Sequence, residues 1–444
     1  MSSEMIETKY GKIQGVPYDG YTLFKGIPYA KAPVGDLRWK RPQPADPWEE
    51  IFEADHFGNR CWQDWHTTDN PFGAFFVREF YHDPAFFTPM SEDCLNLNIW
   101  MPDHQEGEML PVAFYIHGGG YGGGWNCEAE FDGEAYCRRR MILVTINYRL
   151  GVFGFLAHPW LTEENEQHIS GNYGTFDQVM ALRWVYENIA AFGGDPEKIT
   201  IFGQSAGSMS VQTLISTELT GDMIHGAILQ SGVSCNQPLF SNPTLQEAEK
   251  AGEIFAQKAG VHSLEELRAL TPEQILQFWH ETTASLSVSE IPFSPNVDGY
   301  LLKEKVGDLV NHGRIKKIPY MLGSTKDDIF TDMEEVKKGN LGGLYEEVQD
   351  FADTVEKTEG VDVYAYYFTR DLPGEAPDWG AFHSCELWYT FGTLDRCWRP
   401  LEQHDRDLCT EILDDWESFI KTGKPADPEW KTYDKVKNNL KIYS

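Results

Sequence analysis

Short apolar runs recur along this chain, and their alternation with helical patterns is the feature that most restricts its fold. The runs have the length and content of buried strands, and they are Val112–Ile116, Ile142–Asn147, Ile199–Phe202, Gly226–Gln230, Pro319–Leu322 and Val363–Phe368. Phe176–Ala191 carries apolar residues at helical spacing and is followed by a Gly-Gly-Asp-Pro turn. This alternation predicts an α/β fold with a central, mostly parallel sheet and helices on both faces.

The remaining segments fit around such a sheet. Residues 1–100 have the pattern of short strands and turns, whereas residues of about 240–315 and 330–360 are helical and charged, with no strand run between. We interpret the latter two as helical cap excursions over one edge of the sheet. An amphipathic helix at Arg406–Thr422 precedes a last strand at Leu440–Tyr443. No repeat or linker divides the chain, so residues 1–444 are predicted to form a single domain.

Charge and cysteine usage exclude several classes of protein. The 69 acidic and 37 basic residues give a net charge of −32, which argues against nucleic acids and anionic membranes as partners. Met1–Thr8 is polar, and no apolar run is long enough to span a bilayer. We therefore expect a cytoplasmic protein without a membrane partner. None of the eight cysteines forms a C-x-x-C pair, so neither a metal site nor a redox site is expected.

A G-x-S-x-G motif lies between a strand and a helix. Gly203–Gly207 follows the Ile199–Phe202 run and precedes Ser208–Ile215, which has a helical pattern. A sharp strand-to-helix turn projects the hydroxyl of the central serine from the carboxyl end of a sheet, and it needs small residues two positions away on either side. The pentapeptide alone could arise by chance, but its strand–turn–helix setting identifies Ser205 as a candidate nucleophile.

A glycine-rich loop follows an earlier strand. Val112–Ile116 continues into His117–Trp125, where glycines allow backbone N–H groups to turn toward a developing oxyanion. Gly118, Gly120 and Gly123 also match the G-x-G-x-x-G dinucleotide fingerprint. That alternative is disfavoured because no helix opens there and the segment is far from a βαβ unit at the start of the chain.

Candidates for an acid and a base come later, in the chain order that such hydrolases use. His383 lies on a loop after the Val363–Phe368 strand, whereas each of the other histidines after Ser205 is more readily explained as a surface or core residue. Asp327 and Asp328 follow the Pro319–Leu322 strand, where a carboxylate that orients the base belongs. The residue pattern alone does not choose between these two.

Together these motifs resemble the type-B carboxylesterase family, the cholinesterase-like branch of the α/β-hydrolases, and its bacterial carboxylesterases. The resemblance extends over nearly the whole chain. Its longest parts are Phe24–Ala30 with Pro33–Gly35 and Leu37–Trp39, then Glu92–Trp100, Gly171–Gly174, and Phe192–Pro196 leading into Gly203–Ser208.

The resemblance implies an α/β-hydrolase fold and a role for each candidate. Ser205 would be the nucleophile, His383 the base and Asp328 the acid of a catalytic triad, with Asp327 as the minor contender. The remaining roles it implies are oxyanion N–H groups from Gly119, Gly120 and Ala206, and support of the triad acid by Ser231.

Two positions and one interval depart from the family pattern. The acid is Asp328 where Glu is common, Gln204 stands where Glu is usual, and the interval from Asp328 to His383 is shorter than usual, which predicts a more open cleft. Cys61 and Cys94 resemble the family's first disulfide pair. Whether they are bridged or reduced stays open at this point.

The expected activity is hydrolysis of carboxylic esters with small or aromatic hydrophobic groups, without cofactor or metal. The expected partner is a small-molecule ester, and both a monomer and a homodimer are compatible with the sequence. A feruloyl- or acetyl-type esterase acting on plant-derived esters is a narrower alternative. A non-catalytic, cholinesterase-like binding protein is an alternative of another class, but Ser205, His383 and an acid are all present.

Overall fold

The computed structural model describes residues 4–63, 71–236, 242–286, 293–329, 343–374 and 380–444. The strands in these residues are β1 (Met5–Thr8), β2 (Gly11–Gln14), β3 (Val16–Tyr18), β4 (Tyr21–Pro28), β5 (Phe52–Glu53), β6 (Asn96–Pro102), β7 (Leu110–Ile116), β8 (Ile142–Ile146), β9 (Gly194–Gln204), β10 (Gly226–Gln230), β11 (Tyr320–Thr325), β12 (Val363–Phe368) and β13 (Lys441–Tyr443).

One large sheet forms the centre of the fold. Within the described residues it contains ten strands in the order β13-β12-β11-β10-β9-β7-β8-β6-β4-β3, and β1, β2 and β5 form a separate small sheet. Pairing is parallel from β13 to β8 and antiparallel from β8 to β3. Parallel strands place their carboxyl ends at one edge, which is where ligand sites form in open α/β sheets.

Helices cover both faces of this sheet, as the sequence predicts. They are α1 (Pro71–Phe80), α2 (Glu134–Arg138), α3 (Gly151–Phe155), α4 (Pro159–Glu164), α5 (Tyr173–Asn188), α6 (Ala206–Ser216), α7 (Leu245–Ala259), α8 (Leu264–Arg268), α9 (Pro272–Thr283), α10 (Val306–Asn311), α11 (Gly343–Val355), α12 (Leu387–Thr390) and α13 (Gln403–Thr422). Apolar residues of α5, α6 and α11 pack on one face, and those of α1, α2, α12 and α13 pack on the other.

Strand β7 shows how the sheet separates two cores. Val112, Phe114 and Ile116 join the core on one face, whereas Ala113 and Tyr115 join the core on the opposite face. Successive side chains of a strand point to opposite faces, and both faces here are covered, so all seven residues of β7 are buried. The predicted α/β architecture is confirmed.

Helix α1 is absent from the sequence prediction, which placed only short strands and turns in residues 1–100. Phe72, Phe75, Phe76 and Phe80 repeat at helical spacing, and Pro71 occupies the first helical position, where proline is favoured. The nearby proline and glycine turn signals hid this pattern. The prediction was therefore wrong for this segment.

Helices α7 to α10 lie within residues 240–315, and α11 lies within residues 330–360, the two segments interpreted as cap excursions. Residues 330–342 of the second segment fall outside the described residues. The assignment of the whole chain to a single domain stays a prediction. Among the described helices, none combines the length and the hydropathy that crossing a bilayer requires.

Candidate active site

Ser205 lies on a strained turn between β9 and α6. Its backbone has φ 57° and ψ −127°, an unfavourable conformation for a residue with a side chain. Two glycines make the turn possible. A Cβ on Gly203 would be 2.5 Å from the carbonyl carbon of Gly207, and one on Gly207 would be 2.0 Å from the carbonyl oxygen of Ile116. The motif therefore needs glycine because backbone segments meet at this turn.

Neighbouring strands hold the turn in place. The Ser205 N–H donates a hydrogen bond of 2.9 Å to the Gln230 carbonyl at the end of β10. A Cβ on Gly232, just beyond β10, would be 2.2 Å from the Ser205 carbonyl oxygen. Such close backbone packing fixes Ser205 against the carboxyl ends of two strands.

The predicted glycine-rich loop curls beside Ser205. Gly122 and Gly123 donate their N–H groups to the Gly119 carbonyl at 3.0 and 2.9 Å. In the described part of the chain, the N–H groups of Gly119 and Gly120 meet no acceptor. Ala206 is the first residue of α6, so its N–H has no acceptor within that helix. The three residues line the same cleft as Ser205.

The ring of His117, the first residue of this loop, holds the loop in place. Its ring stacks on Tyr148 with centroids 4.5 Å apart, and its Nδ1 lies 2.9 Å from the Gly118 carbonyl oxygen. Complete burial lowers the pKa of His117 to about 4, because the charged imidazolium loses its solvation. A neutral His117 therefore donates to the loop backbone.

Asp328 and His383 are brought together at the cleft. The Oδ1 atom of Asp328 contacts Nδ1 of His383, and both side chains are almost fully buried. Two backbone N–H groups fix the carboxylate: Thr325 donates to Oδ2 at 3.1 Å and Ile329 donates to Oδ1 at 2.9 Å. A carboxylate held in this way orients the imidazole and leaves Nε2 toward the cleft.

Asp327 has a different neighbourhood. Its N–H donates to the Ala381 carbonyl at 3.0 Å, and its Oδ2 accepts from the Ala381 N–H at 2.8 Å. A Cβ on Gly380 would be 2.0 Å from the same Oδ2 atom. Asp327 thus binds the backbone of the loop that carries His383, whereas Asp328 binds the His383 imidazole.

The Nε2 atom of His383 faces a neutral amide. Gln204 Nε2 lies 3.3 Å from it, and within the described residues this amide, rather than the Ser205 hydroxyl, is its hydrogen-bond partner. With Nδ1–H donated to Asp328, Nε2 carries the lone pair that the Gln204 amide can meet. Catalytic hydrogen bonds in unliganded sites are often loose and tighten when substrate binds.

Two further polar side chains, those of Glu386 and Ser231, are almost fully buried. Burial raises the pKa of Glu386 to about 8, and the charge of Asp328 adds to the increase. Interactions with the Gln230 side chain and with the Glu386 backbone partly offset this increase. Ser231 Oγ is buried without a hydrogen-bond partner in the described ranges, and no hydrogen bond joins it to Asp328. Its predicted support of the acid therefore stays a prediction.

The cleft has a volume of about 860 Å³ including the part open to solvent. Aromatic and aliphatic side chains form much of its wall: Phe76, Phe80, Tyr81, Tyr115, Phe131, Met209, Ile329 and Leu387. Two buried carboxyl groups, those of Glu128 and Glu130, also line it. Sequence reasoning missed both, because 69 acidic residues give no basis for selecting two.

All eight cysteines are buried free thiols. Cys61 and Cys94 lie next to each other, and Cys61 Sγ accepts the Leu150 N–H at 3.3 Å. The described residues contain no group of three or more His, Cys, Asp or Glu side chains that could hold a metal ion.

A serine on a strained strand-to-helix turn, a glycine-rich loop and a carboxylate-oriented imidazole meet at one cleft, and this combination defines a hydrolase of the α/β-hydrolase fold. The carboxylesterase family model matches residues 2–342 and 344–444, so the chain belongs to that family and is a carboxylic-ester hydrolase. The non-catalytic alternative is thereby set aside.

Individual relatives agree with this assignment. The chain is 31% identical to para-nitrobenzyl esterase of Bacillus subtilis over 479 residues, covering 98% of this chain and 93% of the relative. It is 35% identical to fumonisin B1 esterase of Sphingopyxis macrogoltabida over 334 residues, covering 74% and 57%. A solved thermophilic PNB esterase superposes with a TM-score of 0.83 at 29% identity, covering 100% of this chain and 96% of that one.

Proposed function

We propose that this chain hydrolyses aromatic carboxylic esters through an acyl-enzyme formed on Ser205. The observation that carries the proposal is the contact between Asp328 and Nδ1 of His383, at the cleft that also holds Ser205. This contact leaves Nε2 of His383 as the atom that accepts a proton from the nucleophile.

The first half-reaction transfers the acyl group. Ser205 Oγ attacks the ester carbonyl carbon while His383 Nε2 takes the hydroxyl proton, and the carbonyl electrons move onto oxygen. The N–H groups of Gly119, Gly120 and Ala206 stabilise that oxyanion. The tetrahedral intermediate then expels the alcohol, which receives the proton from His383. For Ser205 to donate to Nε2, the Gln204 amide must share or yield this position.

The second half-reaction releases the acid. Water loses a proton to His383 Nε2 and attacks the acyl-Ser205 carbonyl carbon. The tetrahedral intermediate then breaks its bond to Ser205 Oγ, which takes the proton back from His383 as the acid leaves. The proton that Ser205 loses leaves with the alcohol, and a proton from the attacking water replaces it, so the protons balance over the two half-reactions.

Substrate preference follows from the cleft wall. Phe76, Phe80 and Phe131 supply aromatic surface beside Ser205, and flat aromatic groups pack well on such rings. The para-nitrobenzyl esterase relative supports the same preference. Feruloyl and acetyl esters of plant origin remain a narrower alternative for the natural substrate.

We also infer that the protein acts in the cytoplasm, which the eight free thiols support.

Hydrolysis of a para-nitrobenzyl ester by wild type and Ser205→Ala tests the proposal. We expect activity to fall by roughly 10⁴-fold or more, with loss of covalent labelling by a fluorophosphonate at residue 205 in mass spectrometry. Ser216→Ala is the matched control, because the Ser216 hydroxyl donates to the Gln212 carbonyl near the end of α6. Retained activity in Ser205→Ala would overturn the assignment of the nucleophile.

A further inference from the structure

Two carboxyl groups that line the active-site cleft, those of Glu128 and Glu130, follow the glycine-rich loop directly in the chain. Glu128 and Glu130 are 4% and 2% exposed and lie within hydrogen-bonding reach of each other. Burial raises the pKa of Glu128 to about 7, and it raises the pKa of Glu130 as well, with the nearby Glu128 charge adding to the increase. Two buried carboxyl groups so close share a proton, because both cannot ionise freely.

The two carboxyl groups differ in their partners. Glu128 is satisfied by the protein: its Oε1 accepts the Trp125 N–H at 2.8 Å and its Oε2 accepts the Tyr81 hydroxyl at 3.2 Å. Glu130 Oε2, in contrast, has no hydrogen-bond partner among the residues that the structure describes. A buried acceptor left unpaired is costly, so it marks a position that a bound group can fill.

Tyr115 supplies a second, independent unpaired group. It comes from β7 rather than from the loop, it is fully buried, and its hydroxyl also has no partner in the described part of the chain. Phe131, Phe202 and Phe391 hold its ring, with centroids 4.7, 4.8 and 4.9 Å away. Tyr115 and Glu130 line the same cleft as Ser205.

We propose that Glu130 Oε2 and the Tyr115 hydroxyl form a polar subsite of the active-site cleft, which binds a neutral hydroxyl group carried on the ring of an aromatic ester. This inference rests on the proposed esterase function and names its substrate class as hydroxyaryl esters.

A hydroxyl group satisfies both protein atoms at once. It donates its proton to Glu130 Oε2 and accepts the Tyr115 proton on its own oxygen. An ammonium group has no lone pair for the Tyr115 proton, so it would leave one of the two unpaired. The neighbouring aromatic side chains Phe76, Phe80 and Phe131 provide the surface for the ring that carries the hydroxyl.

Matched ester pairs test the subsite. The acyl pair is 4-nitrophenyl 3-(4-hydroxyphenyl)propanoate and 4-nitrophenyl 3-phenylpropanoate; the alcohol pair is 2-(4-hydroxyphenyl)ethyl acetate and 2-phenylethyl acetate. Pairing a buried polar group that is otherwise unsatisfied corresponds to about a tenfold change in kcat/KM. We therefore expect wild type to prefer the hydroxylated ester by at least about tenfold in kcat/KM in one pair, which also tells whether the acyl or the alcohol part enters the subsite.

Variants then assign the preference to these residues. Glu130→Gln and Tyr115→Phe should each reduce the kcat/KM ratio within the responsive pair toward one, and Tyr115→Phe removes a single oxygen, which limits its effect on folding. Glu134→Gln is the control, since Glu134 is the exposed first residue of α2 and is paired with Arg138. It should keep the wild-type ratio.

The outcomes separate this inference from the proposed function. Equal hydrolysis within both pairs, or a preference that survives both variants, would overturn the subsite while leaving the esterase assignment intact. A stronger preference for the 4-aminomethyl analogue of the acyl ester would overturn the choice of a neutral hydroxyl. If wild type hydrolysed none of the esters and Ser205 were not labelled, the proposed function itself would fail.

Discussion

The carboxylate of Asp328 contacts Nδ1 of His383, whereas the adjacent Asp327 binds the backbone of Ala381. We expect Asp328→Asn to lower kcat roughly 10³- to 10⁴-fold, because the amide no longer holds the imidazole in the required tautomer. Asp327→Asn should cost less than about tenfold, since an amide oxygen still accepts the Ala381 N–H. Steady-state kinetics on one ester compares them, and equal losses would contradict the assignment of Asp328 as the acid.

Gln204 places a neutral amide at 3.3 Å from Nε2 of His383. Gln204→Glu would put a negative charge there and favour the protonated imidazole. Because the base must be neutral, we expect the acidic limb of the kcat/KM profile to move to higher pH, by about one pH unit. Activity near pH 6 should fall while activity near pH 9 changes little. An unmoved acidic limb would mean that His383 is not the titrating base.

Glu386 links pH to stability. The pKa of Glu386 is about 8 in the folded chain and about 4.3 in an unfolded one. At pH values between these two, the unfolded chain has released a proton that the folded chain keeps. The contribution of this group is therefore greatest at low pH and is lost as pH rises to about 8. Relative to Glu386→Gln, wild type should lose on the order of 3 kcal/mol of unfolding free energy between pH 5 and pH 8. Urea unfolding of both proteins at the two pH values measures it, and a constant difference would argue against a buried, protonated Glu386.

Gly207 tests the packing of the turn at Ser205. Alanine is the better helix former by about 1 kcal/mol, yet its Cβ would lie 2.0 Å from the Ile116 carbonyl oxygen. We expect Gly207→Ala to destabilise the fold by about 3 kcal/mol and to reduce ester hydrolysis. Gly122→Ala is the matched control, because its Cβ would make only an ordinary contact of 3.4 Å with Trp279. Comparable stability of the two variants would show that the turn tolerates a side chain.

Prediction from sequence worked where local chemistry fixes the backbone. Ser205 could be located because its turn requires Gly203 and Gly207 in a strand–turn–helix setting, and His383 because a loop follows a strand. The assignment of Asp328 over Asp327 needed family resemblance, since adjacent carboxylates look alike until the chain direction beyond β11 is known.

Other parts of the site depend on contacts that sequence does not encode locally. Glu130 and Tyr115 are 15 positions apart on different elements, and their importance comes from burial without partners, a tertiary property. The position of the Gln204 amide on the imidazole likewise depends on how β9 meets the loop that carries His383. Helix α1 was missed for a simpler reason, because turn-forming residues around it outweighed a helical repeat of phenylalanines.

One stretch of backbone, from Gly118 to Phe131, begins with the N–H groups proposed for the oxyanion and ends near Glu130, whose carboxyl group belongs to the proposed subsite. The same segment therefore carries groups that affect the reaction rate and groups that affect substrate preference. A one-residue insertion near Gly123 would change the spacing between the two ends, so a lineage that diversifies its substrates has to exchange side chains here while keeping that spacing constant.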